Sequence, residues 1–202
     1  MIGVTRSALG LLTVFCALLI SEASAFAQSV ALSSLERVGL TKSLMDRALQ
    51  MRDRYAKRVG NDRYVTIIDY SRPSNKERLF VLDLVRGTVE ADLVAHGQGS
   101  DPDHEGVARF FSNDIGSRMT SLGAFVTGEP YRGEHGLSLK LIGLDSTNDN
   151  AEARAIVIHG ADYVSKARDV LGRSWGCPAV EPAVAASLVP KLANGTFVYA
   201  VR

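Results

Sequence analysis

From Tyr64 to the end of the chain, short segments rich in β-branched and aromatic residues alternate with turns that contain Gly, Pro, Asn and Asp. Segments of this kind, bounded by turn-forming residues, are typical of β-strands. Strands are predicted over 64–70, 78–84, 88–95, 121–128, 137–141, 155–158 and 196–201. A loop rich in Gly, Asp and Ser covers 96–117, and one short helix is predicted from Glu181 to Leu192. The pattern favours a mainly β fold with few and short helices.

The residues that precede this region predict helix instead. Residues 33–58 carry apolar side chains at helical spacing, and Thr41 is a suitable N-cap residue within them. The sequence Gly60-Asn61-Asp62 ends that pattern. We therefore expect a helical lead-in segment over 28–60 that packs on a main domain over 61–202.

The composition supports a folded domain and argues against nucleic-acid binding. Hydrophobic residues make up 46% of the 202-residue chain and charged residues 22%, so the chain can bury a sizeable core. The formal net charge is +1, whereas a nucleic-acid-binding domain usually carries a basic excess or a basic patch. The basic run over 52–58 is interrupted by Asp53 and is typical of a solvated helix face.

The N-terminal residues have the pattern of a secretory signal peptide. Arg6 provides a positive charge, an apolar run covers 8–20, and Ala25-Phe26-Ala27 fits a small-x-small cleavage site. Cleavage before Gln28 would remove 1–27 and export the mature protein without stable membrane insertion. An uncleaved anchor is the alternative, although the apolar run is shorter than the about 20 residues that span a bilayer.

Cleavage would leave Cys177 as the single thiol of the mature chain, because Cys16 lies within the signal peptide. Lipidation of Cys16 is disfavoured by Phe15, which stands where a small residue is expected. A lone cysteine in an exported protein cannot form an internal disulfide. It is buried and inert, linked to another chain, or a working nucleophile.

Two local sequences place reactive side chains beside glycine: Ile156–Gly160, which contains His159, and Gly172–Pro178, which contains Cys177. An imidazole can take the proton of a thiol whose ordinary pKa is about 8.5. Gly176 allows close approach of the backbone to a substrate, and Ser174 can orient a partner through hydrogen bonds. A histidine at a strand end and a cysteine are each more often structural when they occur alone, and their joint occurrence favours catalysis.

In this spacing the sequence resembles the YkuD-type L,D-transpeptidases of bacterial cell walls. His159 is followed by 14 residues and then by Ser174-Trp175-Gly176-Cys177, and the family motif has a histidine, 14 to 17 residues and Ser/Thr-x-Gly-Cys. Thr120–Phe125 is similar to the family's Thr-Pro-Leu-Gly-x-Phe strand. The resemblance covers 64–202 and is strongest to the murein L,D-transpeptidase catalytic domain branch.

The resemblance implies a YkuD-like β-sandwich and a thioester mechanism that needs no cofactor or metal. Cys177 would attack a carbonyl of a peptidoglycan stem peptide, with His159 as the base and the Gly160 carbonyl orienting its ring. Backbone N–H groups near Gly176 and Cys177 would form the oxyanion hole. An amine acceptor would give a cross-link in the periplasm, whereas water would make the enzyme an L,D-carboxypeptidase.

The resemblance also directs attention to substrate contacts, because the sequence departs from the family pattern near the thiol. Trp175 stands where many members have histidine, and Pro178 follows the cysteine where an arginine or asparagine is common nearby. Arg173 is therefore our candidate for holding a substrate carboxylate. Tyr131 and His135 lie in a predicted loop and are expected to border the cleft.

Other functions are weighed against this one. A zinc site from His96, His104 and His135 has no recognised spacing, and we expect the first two to be structural or merely exposed. A sortase-like enzyme needs an arginine after and close to its cysteine, yet the only one here is Arg202. Papain-like enzymes have cysteine before histidine. A non-catalytic wall-binding module would keep the fold and dispense with the nucleophile.

Overall fold

The computed structural model describes residues 32–202 of the chain. The predicted signal peptide, 1–27, lies outside the described residues. Within the described part, no helix is long and apolar enough to cross a membrane.

The described residues form three α-helices and eight β-strands. The helices are α1 (Leu32–Val38), α2 (Lys42–Arg54) and α3 (Pro182–Leu192). The strands are β1 (Asn61–Asp69), β2 (Leu79–Asp83), β3 (Thr88–Asp92), β4 (Gly123–Gly133), β5 (Gly136–Gly143), β6 (Val157–Gly160), β7 (Ala179–Val180) and β8 (Thr196–Val201). The predicted class, mainly β with short helices, is confirmed.

The eight strands belong to one hydrogen-bonded sheet in the order β3-β2-β1-β8-β4-β5-β6-β7. Neighbouring strands are antiparallel except for the parallel pairs β1 with β8 and β6 with β7. After β3 the chain reaches Ala95, which forms a bridge with Ala179 of β7 at the opposite edge of the sheet. The sheet therefore curls towards a barrel-like form, since both of its edges meet at this bridge.

The main core lies on the inner face of this curled sheet. Ile68 and Val81 from one half of the sheet and Leu139 and Ile158 from the other half belong to one buried cluster. Helix α3 contributes Leu188 and other apolar side chains to the same cluster. Side chains alternate between the two faces of a strand, so each half of the sheet presents one apolar row to the other, as the two layers of a sandwich do.

The outer face of β1, β2 and β8 is covered by α1 and α2. Met45 of α2 is fully buried there, in one cluster with Ile67 and Phe197 from the sheet. Thr41 caps α2 by accepting a hydrogen bond from the Leu44 N–H at 3.2 Å, as the sequence predicts. The helical prediction over 33–58 is interrupted at Gly39, whose φ of +74° is in the left-handed region and ends α1.

Strand β6 is held from both sides, which fixes the residues that it carries. His159 is paired with Ser138 of β5 and with Ala179 of β7. Gly160, at the end of β6, faces α3 so closely that an added Cβ would lie 3.0 Å from Pro182 Cα. In the structure, the strand predicted over 155–158 begins two residues later, at Val157, and includes His159 itself.

Candidate active site

A cleft of about 470 Å³ opens where β6, the turn between β4 and β5, and the loop before β7 meet. It contains seven of the residues predicted from the sequence. The predicted residues that line it are Tyr131, His135, His159, Arg173, Ser174, Trp175 and Cys177. Residues separated by up to 46 positions thus share one cavity. Gly160 and Gly176 are not among its lining residues. The Gly160 carbonyl contacts the lining residue His159, and the Gly176 N–H contacts the lining residue Ser174.

His159 is buried and has a defined tautomer. Its side chain is 2% exposed, and Nδ1 lies 3.0 Å from the carbonyl oxygen of Gly160. A carbonyl can only accept a hydrogen bond, so Nδ1 carries the proton and Nε2 keeps a lone pair. Burial lowers the pKa of His159, and this effect outweighs the Gly160 hydrogen bond, which acts in the opposite direction. The imidazole is therefore neutral at pH 7 and able to accept a proton.

Cys177 is half-buried beside the strand that carries His159. Its thiol donates a long hydrogen bond, 3.7 Å, to the carbonyl oxygen of Ala155. Burial raises the pKa of Cys177, while the Val157 N–H and the positive charge of Arg154 act to lower it. A raised thiol pKa and a lowered imidazole pKa together give a pair in which both groups are neutral.

Ser174 determines the shape of the loop that carries the thiol. Its hydroxyl donates to the Cys177 carbonyl at 2.6 Å and accepts from the Gly176 N–H at 3.0 Å. Its backbone N–H donates to the His96 carbonyl at 3.0 Å. The Gly176 N–H is thereby occupied, whereas the Cys177 N–H makes no hydrogen bond within residues 32–202. Of the two N–H groups predicted for the oxyanion hole, the Cys177 N–H is therefore the one without a hydrogen-bond partner among residues 32–202.

Gly176 is required by both conformation and space. Its φ is +124°, which side chains other than glycine rarely adopt. A Cβ there would lie 2.7 Å from the Met119 carbonyl oxygen and 3.0 Å from Arg154 Nη2. The loop therefore passes close against these two groups, and this contact brings Cys177 to the cleft.

The rim of the cleft is aromatic and positively charged. Trp175 is 70% exposed, and the guanidinium carbon of Arg118 lies 4.6 Å from the centre of its ring. Arg173 donates from Nη1 to the carbonyl oxygens of Asp101 and Pro102, so that guanidinium nitrogen is held by the neighbouring loop.

The turn between β4 and β5 forms the opposite rim. His135 lies in this turn, and its ring stacks on that of His159 with centroids 4.4 Å apart and an interplanar angle of 24°. The neighbouring imidazole contributes to the lowered pKa of His159. Tyr131 is on the same hairpin and is exposed at the cleft. Both side chains line the cleft, and their contact with a substrate stays a prediction.

Sequence reasoning missed Arg154, which lines the cleft beside Cys177. Its Nη1 donates to the Ser112 carbonyl at 2.8 Å, and its Nη2 donates to the Met119 carbonyl and weakly to Ser117. Burial lowers the pKa of this arginine, which still remains a cation at neutral pH. A single arginine before an apolar strand carries no motif, so no sequence signal distinguishes it. Tyr163 also lines the cleft, and burial raises its pKa to about 12.

His96 and His104 lie outside the cleft. His96 accepts a hydrogen bond from the buried Arg78 at 2.8 Å, and its other ring nitrogen is 3.3 Å from Asp101. Burial, with the adjacent Arg78 charge, lowers the pKa of His96 to about 4. His104 is 2.8 Å from the Leu171 carbonyl. No group of three or more His, Cys, Asp or Glu side chains within 32–202 could hold a metal ion.

Comparison with solved structures gives distant likenesses. An L,D-transpeptidase from Mycobacterium tuberculosis H37Rv is 13% identical with a TM-score of 0.46, covering 69% of this chain and 58% of that one. An L,D-transpeptidase from Mycobacterium smegmatis is 12% identical with a TM-score of 0.44, covering 69% and 59%. The helical cell shape determining protein Pgp2 of Campylobacter jejuni is 10% identical with a TM-score of 0.42, and the match covers 70% of this chain and 48% of that one. The chain thus spans less than two thirds of the length of these structures.

Sequence comparison gives a firmer result. No curated protein matches the chain. The family YkuD_2, the L,D-transpeptidase catalytic domain, matches residues 36–201, which is most of the chain. This match includes α2 and the last three residues of α1 as well as the cleft residues. The protein therefore belongs to the family of L,D-transpeptidase catalytic domains.

Proposed function

We propose that this protein is a peptidoglycan L,D-transpeptidase that cross-links stem peptides through a thioester on Cys177. The observation that carries the proposal is the shared cleft of Cys177 and His159, in which the Gly160 carbonyl leaves Nε2 of the imidazole free to accept a proton. The family match supports the reaction class.

In the first half of the proposed reaction, the Cys177 sulfur attacks the carbonyl carbon at an L-to-D peptide bond of the donor stem. Nε2 of His159 takes the thiol proton and passes it to the departing amide nitrogen. The C–N bond breaks, a C–S bond forms, and the terminal D-residue leaves as a free amine. Because both groups are neutral at rest, proton transfer accompanies the attack rather than preceding it.

The tetrahedral intermediate needs a hydrogen-bond donor for its negatively charged oxygen. The N–H of Cys177 is free to serve, whereas the Gly176 N–H must leave Ser174 to contribute. Ser174 acts by holding the loop from both sides of this peptide unit. Gly176 acts by permitting the close approach of the loop to the cleft.

In the second half, the amine of another stem attacks the thioester carbonyl. The amine proton passes through His159 to the departing sulfur, which regenerates the thiol and leaves an amide cross-link. Water in the place of the amine would release a shortened stem instead. Trp175, Arg173, His135 and Tyr131 line the walls along which the two peptides would lie.

We further propose that the protein works in the periplasm after removal of 1–27, with stem peptides as its partners and no cofactor. In this proposal the lead-in segment 28–60 and the domain 61–202 remain after cleavage. The packing of α1 and α2 on the outer face of the sheet supports a role for this segment in stability rather than in substrate contact.

The test is mass spectrometry of purified muropeptides incubated with the protein and, in parallel, with Cys177→Ala. Cross-linked dimers formed only by the wild type are expected. Loss of a terminal D-residue without dimers would replace the proposal with a carboxypeptidase. Unchanged muropeptides in every sample would contradict an enzyme acting on this substrate.

A further inference from the structure

We propose that Arg154 is the binding site for the α-carboxylate of the residue released from the acyl donor. The inference rests on the proposed function, because it concerns the donor in the first half of that reaction. It assigns a specificity-determining role to a side chain that no motif of the sequence indicates.

The position of Arg154 is fixed by the backbone on both sides. Residues 151–155 form a turn that ends with Ala155 at a φ of +52°, closed by hydrogen bonds from the Ile156 N–H to the Ala151 carbonyl and from the Ala155 N–H to the Glu152 carbonyl. The carbonyl of Ala155 accepts from the Cys177 thiol. The turn therefore places a guanidinium one residue before the group that contacts the nucleophile.

The guanidinium retains donors for a ligand. Nη1 donates one hydrogen bond to Ser112, and Nη2 is directed to Met119 and Ser117. An arginine has five N–H donors, so Nε and the second hydrogen of Nη1 remain without a partner among residues 32–202. These donors belong to a half-buried cation in the cleft, where a carboxylate is screened less by water than at the surface.

The chemistry of the donor decides which carboxylate this is. In a peptide cleaved before its last residue, only the amide nitrogen and one α-carbon separate the attacked carbonyl from the terminal carboxylate. No other negative charge of such a peptide lies nearer to the reacting carbon. Arg154 Nη2 lies 3.0 Å from where a Gly176 Cβ would be, so its charge is adjacent to the residue that precedes the nucleophile.

Two other arginines near the cleft are less suited. Arg173 is held by the carbonyl oxygens of Asp101 and Pro102, and its charge acts on the buried His96, which lies outside the cleft. Arg118 is exposed and stacked on Trp175 at the outer rim. Arg154 is the one whose charge acts on the Cys177 thiol, which it makes more acidic.

The first experiment measures each of two donor peptides with each of two protein variants. Donor peptides that end in a free D-residue and in the same residue as a carboxamide are compared by kcat/KM in the wild type and in Arg154→Gln. We expect the wild type to prefer the acid by about 10- to 100-fold and the variant to lose that preference. An effect on the thiol alone would lower both donors equally and would overturn the proposal.

The second experiment needs neither turnover nor a peptide. Alkylation of Cys177 by iodoacetate and by iodoacetamide is followed at pH 8, with the labelled residue assigned by peptide mass spectrometry. The rate with iodoacetate divided by the rate with iodoacetamide should be about tenfold higher than for free cysteine in the wild type and in Arg154→Lys. In Arg154→Gln this ratio should equal that of free cysteine. Arg109→Gln, in a surface ion pair with Glu105, is the control.

These results separate the two proposals. If the wild type turns over neither donor, the transpeptidase proposal fails, and the alkylation ratio still decides whether Arg154 attracts a carboxylate. If the wild type itself shows the ratio of free cysteine, the Arg154 proposal is overturned even when Arg154→Gln does not fold. Loss of the preference in Arg173→Gln, but not in Arg154→Gln, would also overturn it.

Discussion

The outer face of the sheet is covered by regular helices, whereas the cleft is lined largely by loops. On the outer face, α1 and α2 cover apolar side chains such as Met45 and Phe197 with regular, capped helices. At the cleft, loops replace regular structure, and Ala155 and Gly176 adopt left-handed backbone conformations. We expect the first region to contribute to stability and not to chemistry, and we expect chemistry to depend on the second, where positions are fixed at a cost in strain.

The sharpest test of this division is His159→Gln. Because the side chain is the proposed base, the variant should lose about 10²- to 10⁴-fold in kcat for formation of cross-linked dimers. Its thermal midpoint should change little, since glutamine can still donate to a backbone carbonyl. The measurement is dimer formation beside a thermal melt, and a fully active His159→Gln protein would remove this residue from the mechanism.

Met45→Ala should have the opposite signature. Its side chain is fully buried between α2 and the sheet, so truncation leaves a cavity and should cost about 2–5 kcal/mol of unfolding free energy. Urea denaturation measures this loss. At temperatures where the variant is folded, kcat should equal that of the wild type. A large loss of kcat in folded protein would show that the outer face is coupled to the cleft.

Acid should lower the stability of the fold through His96, whose backbone carbonyl accepts a hydrogen bond from the Ser174 N–H of the cleft. In the folded protein its pKa is lowered to about 4, whereas an unfolded histidine has a pKa of about 6.5. The unfolded state therefore binds a proton first as the pH falls, so stability is present above pH 6.5 and is lost towards pH 4. The pKa difference corresponds to about 3 kcal/mol. Urea unfolding at pH 7 and pH 4.5 should show a smaller pH effect in His96→Gln, and an equal effect would contradict this assignment.

The smallest effect is expected at Gly136, the first residue of β5. Its φ is +72°, but an added Cβ would meet nothing within 4 Å. Gly136→Ala should therefore cost only the conformational penalty, about 1 kcal/mol, as measured by urea unfolding. Gly176→Ala, which adds collisions with Met119 and Arg154, should cost much more. Equal losses in the two variants would show that the packing around Gly176 is not tight.

The sequence was sufficient to predict the fold class because strand and turn signals are local. Thr41 as a helix cap and the strand of His159 follow from neighbouring residues alone. The sharing of one cleft by His135 and His159 depends on β4, β5 and β6 being adjacent, which alternation of apolar residues does not specify. The family resemblance supplied the pairing of His159 with Cys177, which are 18 positions apart.

Other features could not be predicted because they depend on the three-dimensional path of loops. Arg154 acquires its position from a turn that is closed by backbone hydrogen bonds, and these leave no pattern of side-chain types. Occupation of the Gly176 N–H by Ser174 likewise follows from loop geometry. Arg173, the sequence-based candidate for a carboxylate site, lines the cleft but directs Nη1 elsewhere.

The central claim is that Cys177 carries the acyl group as a thioester, and intact-protein mass spectrometry tests it most directly. The protein is mixed with a donor peptide in the absence of an acceptor amine, the reaction is quenched in acid, and the mass of the intact protein is measured. We predict a mass increase equal to the mass of the donor minus that of the free D-amino acid it releases. The adduct should be located on Cys177, be removed by hydroxylamine and be absent in Cys177→Ala. The same mass increase in Cys177→Ala, or an adduct on any other residue, would contradict the account.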